Sequence, residues 1–541
     1  MPRYSLGLDF GTGSVRAIVL ELESGATVAT AEQTYETIES AQEPELARQN
    51  PLHYLSALES CFTNLLKENP RLATDVVGIG IAATASTPLP ILEDGTPLAA
   101  LEPFRTNPHA MAWLWKDHTA HAEAERLTAL AREMRPEYLS RCGGAYSSEW
   151  FWAKVWRCLE VAPEVAEAAH TWMELCDWIP ALLAGAGSRA PRSICAAGHK
   201  GLYAAEWGGY PDGAFLKALD PRLARLRENL PTDALPAGRK VGGLCAEWAA
   251  RTGLREGTPV SVGAIDAHLG AVGAGVAEGV LVRVMGTSAC DMAIGERTDT
   301  VPAIPGISGI VRDSIVPGWI GYEAGQAAVG DLFAWWTRVT ARDHRQLTDA
   351  AARLKPGESG LLALDWNNGN RSVLQDPRLT GLLIGSTLAT SAAEVYRALV
   401  EATGFGARAI WDRLAEGGVR VDEVVACGGI AEESDFVLQI YADTTGRTIW
   451  RTDASDATAL GAAIAGAVAG EAFPDFESAM AQCAGKRTES FHPNAQAVRV
   501  YEDLYNIYTE LHDAFGGVSR EIPLGAVMKR LLRVRDEARR A

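Results

Sequence analysis

The chain is missing the short motifs that usually mark a phosphate, dinucleotide or zinc site. In 541 residues there is no GxxxxGKS/T and no GxGxxG, so neither a P-loop nor a Rossmann dinucleotide site is supported. No HExxH and no CxxC occur. The nine cysteines (Cys61, Cys142, Cys158, Cys176, Cys195, Cys245, Cys290, Cys427, Cys483) are scattered without zinc-ligand spacing and fit reduced thiols in a cytoplasm. Basic charge is short: 50 Lys and Arg against 68 Asp and Glu leave a net charge of -18, which disfavours general affinity for nucleic acid or anionic membrane. That balance still allows a small anion held by local N–H groups, one lysine and a metal. The longest small-apolar run, Ala457 to Gly470, falls short of the roughly 20 residues that span a bilayer. It reads as a buried helix whose glycines and alanines let another backbone come close. The opening MPRYSLGLDFG has too few apolar residues before Asp9 for a signal peptide.

What is present describes a packed globular protein, with 47% hydrophobic and 22% charged residues and a length that calls for two or more domains. Ser5 to Leu22, SLGLDFGTGSVRAIVLEL, reads as a hairpin: Leu6 and Leu8 lead to Asp9, and Val15, Ala17 and Val19 resume the alternation. In its turn, Gly11 and Gly13 free backbone N–H groups to face an anion, Thr12 and Ser14 add hydroxyls, and Asp9 can hold a cation. The stretch is a phosphate and magnesium cradle in outline, or an ordinary hairpin with a glycine-rich turn. Ala26 to Thr34 continues as a strand, Pro51 to Lys67 has helical spacing, and the apolar strand Val76 to Ala82 ends in a polar loop with Thr84, Ser86 and Thr87. An α/β sheet presents its ligand-binding residues at such strand ends.

From Glu102 to Ala181 the sequence is helical and rich in tryptophan (Trp113, Trp115, Trp150, Trp152, Trp156, Trp172, Trp178), which suits a core and also suits sugar faces. His118 and His121 lack a third ligand and read as a solvated helix face. Lys200 stands in CAAGHKGLY among residues too small and apolar for a solvated surface, which directs its ammonium toward a ligand. In PVSVGAIDAHLGAVGAG an apolar strand runs into Asp266, placed either as a general base or as an N-cap of the following helix. The hairpin pattern then returns at Val280 to Gly295, with Gly286, Thr287 and Ser288 in its turn. A glycine pair, Gly428 and Gly429, ends a further strand at Val424 to Ile430. Three strand and glycine-turn units without a P-loop point to an α/β fold of two duplicated actin-like (ribonuclease H-like) ATPase domains, with ATP in the cleft between them.

The motifs DFGTGSVRAIVLE, WLWKDHTAHAEAERL, YSSEWFWAKVW, ELCDWIPALL, AGHKGL, GAIDAHLGAVGAG, VMGTSACDM and EAGQ, in this order, resemble the FGGY carbohydrate kinases, and within them the ribulokinase branch, from about Leu6 to about Gly470. The resemblance implies ATP- and Mg2+-dependent phosphorylation of a ketopentose, L-ribulose to L-ribulose 5-phosphate, in L-arabinose breakdown. It implies residues 1–274 as an N-terminal domain with sugar binding and the first phosphate loop, and residues 275–541 as a C-terminal nucleotide domain with a helical tail. Asp266 matches the catalytic aspartate, and Lys200, Glu323 and Ala83 match sugar-contacting positions. Asp9 matches the residue near magnesium, while Gly11, Thr12, Gly13, Ser14, Gly286, Thr287, Gly428, Gly429 and Ser434 match nucleotide and phosphate positions.

Two departures matter. Relatives read VDSTGST where this chain has IAATAST, which puts Ala82 at an acidic and Ala85 at a glycine position in a loop expected to face the sugar. Ser434 stands where relatives often have asparagine near the adenine. A kinase of D-ribulose, xylulose or ribitol, and more remotely an actin-like ATPase acting on a protein partner, stay open. The expected partners are a sugar and ATP, with no nucleic acid and no membrane. A homodimer stays open, because Tyr501, Tyr505 and Tyr508 suit either a core or an interface. Lys529 to Ala541 is charged and reads as a solvated helix or tail.

Overall fold

The computed structural model describes residues 3–540, apart from the side chains of residues 68 and 73. Its two large sheets repeat one topology. In the first, Ala26–Thr34, Ser14–Glu21 and Tyr4–Phe10 form an antiparallel meander, and Tyr4–Phe10 then pairs in parallel with Val76–Ala83, which is followed by Pro259–Ser261 and Ala264–Ile265. In the second, Ile320–Gln326, Ala289–Ile294 and Gly279–Met285 form the meander, followed in parallel by Val421–Cys427 and Thr448–Thr452. Apolar residues alternate along the meander strands where one face is covered. They run continuously through Val76–Ala83, whose residues from Gly78 onward are all buried.

Each half lends a helix to the other. The Asp266–Gly273 helix follows the first sheet yet lies against Gly279–Met285 and Ala289–Ile294, and the Ala457–Ala469 helix follows the second sheet yet packs on Tyr4–Phe10 and Val76–Ala83. The approach is backbone to backbone. A Cβ on Gly80 would fall 1.7 Å from the Ala462 carbonyl oxygen, one on Gly7 1.9 Å from that of Ala459, and one on Gly461 1.8 Å from that of Leu269. The alanine-rich helix is therefore part of the first half's core, beside Leu6, Leu8, Ile79 and Ile81.

The aromatic-rich segment builds a separate core in which Trp113, Trp152 and Trp172 are fully buried, while Trp178 joins the core of the first sheet. Trp150, also part of that core, and Trp115 reach the cleft. Tyr501, Tyr505 and Tyr508 are buried against Trp366 and Phe405. The expectation of a solvated C-terminal tail needs correction: in the Val527–Arg540 helix, Val527, Leu531, Val534 and Ala538 are buried, so one apolar stripe docks while the charges face outward, and Ala541 lies outside the described residues. Among the described residues all nine cysteines are free, and no helix is long and apolar enough to cross a membrane.

Candidate active site

A cavity of about 1100 Å³ opens between the two sheets. The turns of both meanders reach it, contributing Thr12 from the first and Gly286, Thr287 and Ser288 from the second. Each turn is closed by a glycine N–H, that of Gly11 to the Ser14 carbonyl three residues on and that of Gly286 to the Ser288 carbonyl two residues on, both at 2.9 Å. Tyr35 braces the first by donating to the Gly11 carbonyl at 2.6 Å, and the Gln49 amide donates to that of Thr12 at 2.6 Å. The second is tied to the start of the Gly330–Thr340 helix, where Val329 N–H and Gly330 N–H bond the carbonyls of Thr287 and Gly286. Anchored turns of this kind hold their remaining N–H groups in place for an anion.

Asp266 lines the cavity as the first residue of its helix. Its Oδ1 accepts only the neighbouring Ala267 N–H, at 2.7 Å, and makes none of the N2 or N3 bonds of an N-cap. Burial pushes its carboxyl up to about 6, with its own helix N–H and Lys200 pulling the other way. Asp9, in Tyr4–Phe10, is pushed up to about 8, by burial first and then by the charge of Asp266, against the pull of Arg16. Its Oδ1 is buried without a hydrogen-bond partner. Arg16 is itself held by Asp456 at 2.5 Å and Glu32 at 3.2 Å. A buried carboxylate oxygen left bare, beside a second carboxylate, fits a hard divalent cation such as Mg2+.

Also lining the cavity, Lys200 bonds both carboxylate oxygens of Glu323, and its Nζ lies 5.5 Å from the Trp150 ring. Burial alone would raise the Glu323 carboxyl. The Lys200 ammonium overcomes that and holds it far below the usual carboxylate range. The loop after Val76–Ala83 is pinned from beneath by Glu174, which accepts Thr87 N–H at 2.6 Å and the Ser86 hydroxyl. Lys154 Nζ donates to the Ser86 carbonyl at 2.7 Å. Arg371 reaches Glu149 at 3.3 Å across the mouth.

The structure brings Thr12, Asp266, Lys200, Glu323, Gly286 and Thr287 to one cavity; Asp9 does not line it but is near enough for its carboxyl to feel the charge of Asp266. It does not bring Ala83 there. Ala83 is buried in the sheet opposite Phe10 and Ile265, and the loop presents Thr84 and Ala85 instead. Nor does Ala82 face the sugar end: it is paired with Asp9 in the sheet, on the same face. Of the first turn only Thr12 lines the cavity, and the Ser14 hydroxyl donates to Glu32 at 2.6 Å rather than into the cleft. Gly428 and Gly429 do not line this cavity but pass close to the second turn, a Cβ on Gly428 falling 2.6 Å from the Met285 carbonyl oxygen, and Gly429 is open to solvent. Ser434 caps the Asp435–Thr445 helix by accepting Val437 N–H at 3.3 Å. Sequence reasoning missed Arg371, and it gave no role to Lys154 or Glu174, although both lie in the motifs YSSEWFWAKVW and ELCDWIPALL. It gave no role to His199 and His268, which stand beside Lys200 and Asp266 in motifs already singled out.

Residues 4–273 match the N-terminal domain of the FGGY family of carbohydrate kinases and residues 281–470 its C-terminal domain. The chain is 40% identical to the ribulokinase of Shouchella clausii, over 100% of this chain and 99% of that one. It is 42% identical to the ribulokinase of Geobacillus thermodenitrificans, over 100% and 98%. In fold it is similar to the xylulose kinase of Rhodospirillum rubrum, with a TM-score of 0.76 at 24% identity over 95% of this chain and 100% of that one. The duplicated sheets, the paired glycine turns and these matches together mean that the chain belongs to the FGGY family of carbohydrate kinases.

Proposed function

We propose that this enzyme transfers the γ-phosphoryl group of ATP to the terminal hydroxyl of a ketopentose, with L-ribulose as substrate and L-ribulose 5-phosphate and ADP as products. The observation that carries the reading is Asp266: a half-buried carboxylate, its pKa pushed up to about 6, that lines one cavity together with both glycine turns and the Lys200–Glu323 pair. That value leaves it ionised at neutral pH yet basic enough to take a proton. As the hydroxyl oxygen attacks the γ-phosphorus, Asp266 accepts the hydroxyl proton, and the bond from phosphorus to the ADP oxygen breaks. The N–H groups and hydroxyls of the Thr12 and Thr287 turns receive the phosphate oxygens. Asp9 would hold Mg2+, which when bound neutralises charge on the phosphates.

Lys200 and Glu323 orient the sugar by a donor and an acceptor fixed to each other, and Trp150 offers an apolar face beside them. The open backbone at Gly428 and Gly429 takes the adenosine. Ser434, whose Oγ already accepts a helix N–H, keeps its hydroxyl hydrogen for the base. Free cysteines throughout fit a reducing cytoplasm. The test is ADP release across a panel of ketopentoses and pentitols. L-ribulose should show the highest kcat/KM, and ATP turnover that no sugar stimulates would overturn the reading.

A further inference from the structure

His199, His268 and Glu323 meet from three separate elements, the Ile194–Gly201 helix, the Asp266–Gly273 helix and the Ile320–Gln326 strand. The two imidazole rings are tilted 56° to each other with centroids 4.5 Å apart. His199 Nδ1 lies 3.3 Å and His268 Nε2 3.6 Å from Glu323 Oε2, and one ligand atom from each of the three residues falls within 4.8 Å of the others. Neither histidine side chain is exposed, yet none of their four ring nitrogens has a hydrogen-bond partner. Burying such groups unpaired is costly, and this fold makes room for it. Gly309 pairs with Glu323 on the neighbouring strand, and any Cβ there would fall 2.0 Å from His199 Nδ1.

We propose that His199, His268 and Glu323 form a binding site for a borderline divalent transition-metal ion such as Zn2+, and that its occupancy competes with the sugar for Glu323. Edges of 3.3 and 3.6 Å between ligand atoms suit a central ion roughly 2 Å from each. Two imidazoles and one carboxylate select zinc, cobalt or nickel over Mg2+, which takes oxygen ligands and is served by Asp9 instead. Burial keeps both imidazoles neutral, so their lone pairs are free to ligate. His268 and Glu323 both line the cavity, which gives the ion its path. Lys200 occupies one lone-pair direction on each Glu323 oxygen, leaving the side of Oε2 turned to the histidines open. An ion there repels the Lys200 ammonium and draws charge from the carboxylate. The competition, though not the metal site, rests on the reading of Lys200 and Glu323 as sugar contacts.

The test is titration of the purified full-length enzyme with Co2+ in Mg2+-free buffer, repeated on His199→Gln and His268→Asn. One ion per chain should bind with visible bands of tetrahedral intensity and no thiolate charge-transfer band, and each variant should weaken binding about tenfold or more. Thiolate bands, no binding at equimolar metal, or full binding in both folded variants would overturn the site. On the wild-type enzyme, Zn2+ should raise the sugar KM severalfold, leave the ATP KM unchanged and be reversed by a chelator. A bound ion that leaves the sugar KM unmoved would overturn the competition while retaining the site. An enzyme inert toward every sugar would overturn the functional reading without touching the Co2+ spectrum.

Discussion

Lys200 Nζ donates to both oxygens of Glu323, at 2.7 and 2.9 Å, from opposite halves of the duplicated fold. The lysine rides on the Ile194–Gly201 helix of the first half and the glutamate on a strand of the second half's sheet. Their charges are nearly buried, so each depends on the other for compensation. The pair therefore joins the halves and presents a polarised contact to whatever fills the cavity.

Removing one partner should cost more than removing both. Lys200→Met strands a buried carboxylate, a loss on the order of 3–5 kcal/mol, whereas Lys200→Met with Glu323→Gln should recover part of it. Both singles should raise the sugar KM far more than the ATP KM. Additive unfolding free energies across the cycle would refute the coupling.

Asp266→Asn should lower kcat by several orders of magnitude and leave ATP binding intact, since the amide keeps the shape but accepts no proton. In the wild type the Asp266 carboxyl is protonated below its value of about 6, so kcat/KM should fall on the acid side with an apparent pKa near there. Full turnover in the variant, measured by coupled ADP release, would remove Asp266 as the base.

Asp9 links stability to pH. Its folded pKa of about 8 lies above the ordinary 3.8, so the folded state holds the proton more tightly, and the cation-free protein loses stability as pH rises from about 4 to about 8. Asp9→Asn should escape that loss, melting higher than wild type at about pH 8 with a smaller gap at about pH 5. Mg2+ should raise the wild-type Tm at the higher pH and leave the variant's unchanged. The reverse ordering in thermal unfolding would contradict the assignment.

Gly80→Ala sets a methyl 1.7 Å from the Ala462 carbonyl oxygen and must push the alanine-rich helix off the sheet. Overpacking of this kind costs roughly 1–3 kcal/mol or more, while Gly213→Ala, with nothing within 4 Å, should be near neutral. Equal denaturation midpoints for the two would argue against the close approach.

Ala82→Asp places a carboxylate beside Asp9 rather than in the sugar site. It should shift the Mg2+ concentration for half-maximal activity and leave the order of preference among ketopentoses unchanged. Altered sugar preference with constant Mg2+ dependence would return Ala82 to the sugar-facing role.

Much of the site was legible because its groups sit in short contiguous patterns. The turns around Thr12 and Thr287, Lys200 among small residues and Asp266 at a strand end are local features, and the cavity gathers all four. Glu323 was reached only by resemblance, since EAGQ carries no chemistry on its face. Ala83 was misplaced because a strand's alternation, one residue out of phase, turns a side chain from cavity to core. The C-terminal helix misled because Val527, Leu531 and Val534 are sparse among eight charged residues, and their stripe shows only when the helix is wound.

The sequence by itself determined the duplicated α/β plan, the two glycine turns, the place of Asp266 at a strand end and the close-packed nature of Ala457–Gly470, because each follows from backbone preference or periodicity within a dozen or so residues. Only the tertiary structure decided that this helix belongs to the other half's core, that Ala82 stands beside Asp9, and that Lys200, Glu323, His199 and His268 share one buried cluster. Those relationships join residues far apart in the chain. They are set by which surfaces exclude water together and by the electrostatic cost of burying a charge without its partner, and local sequence encodes neither.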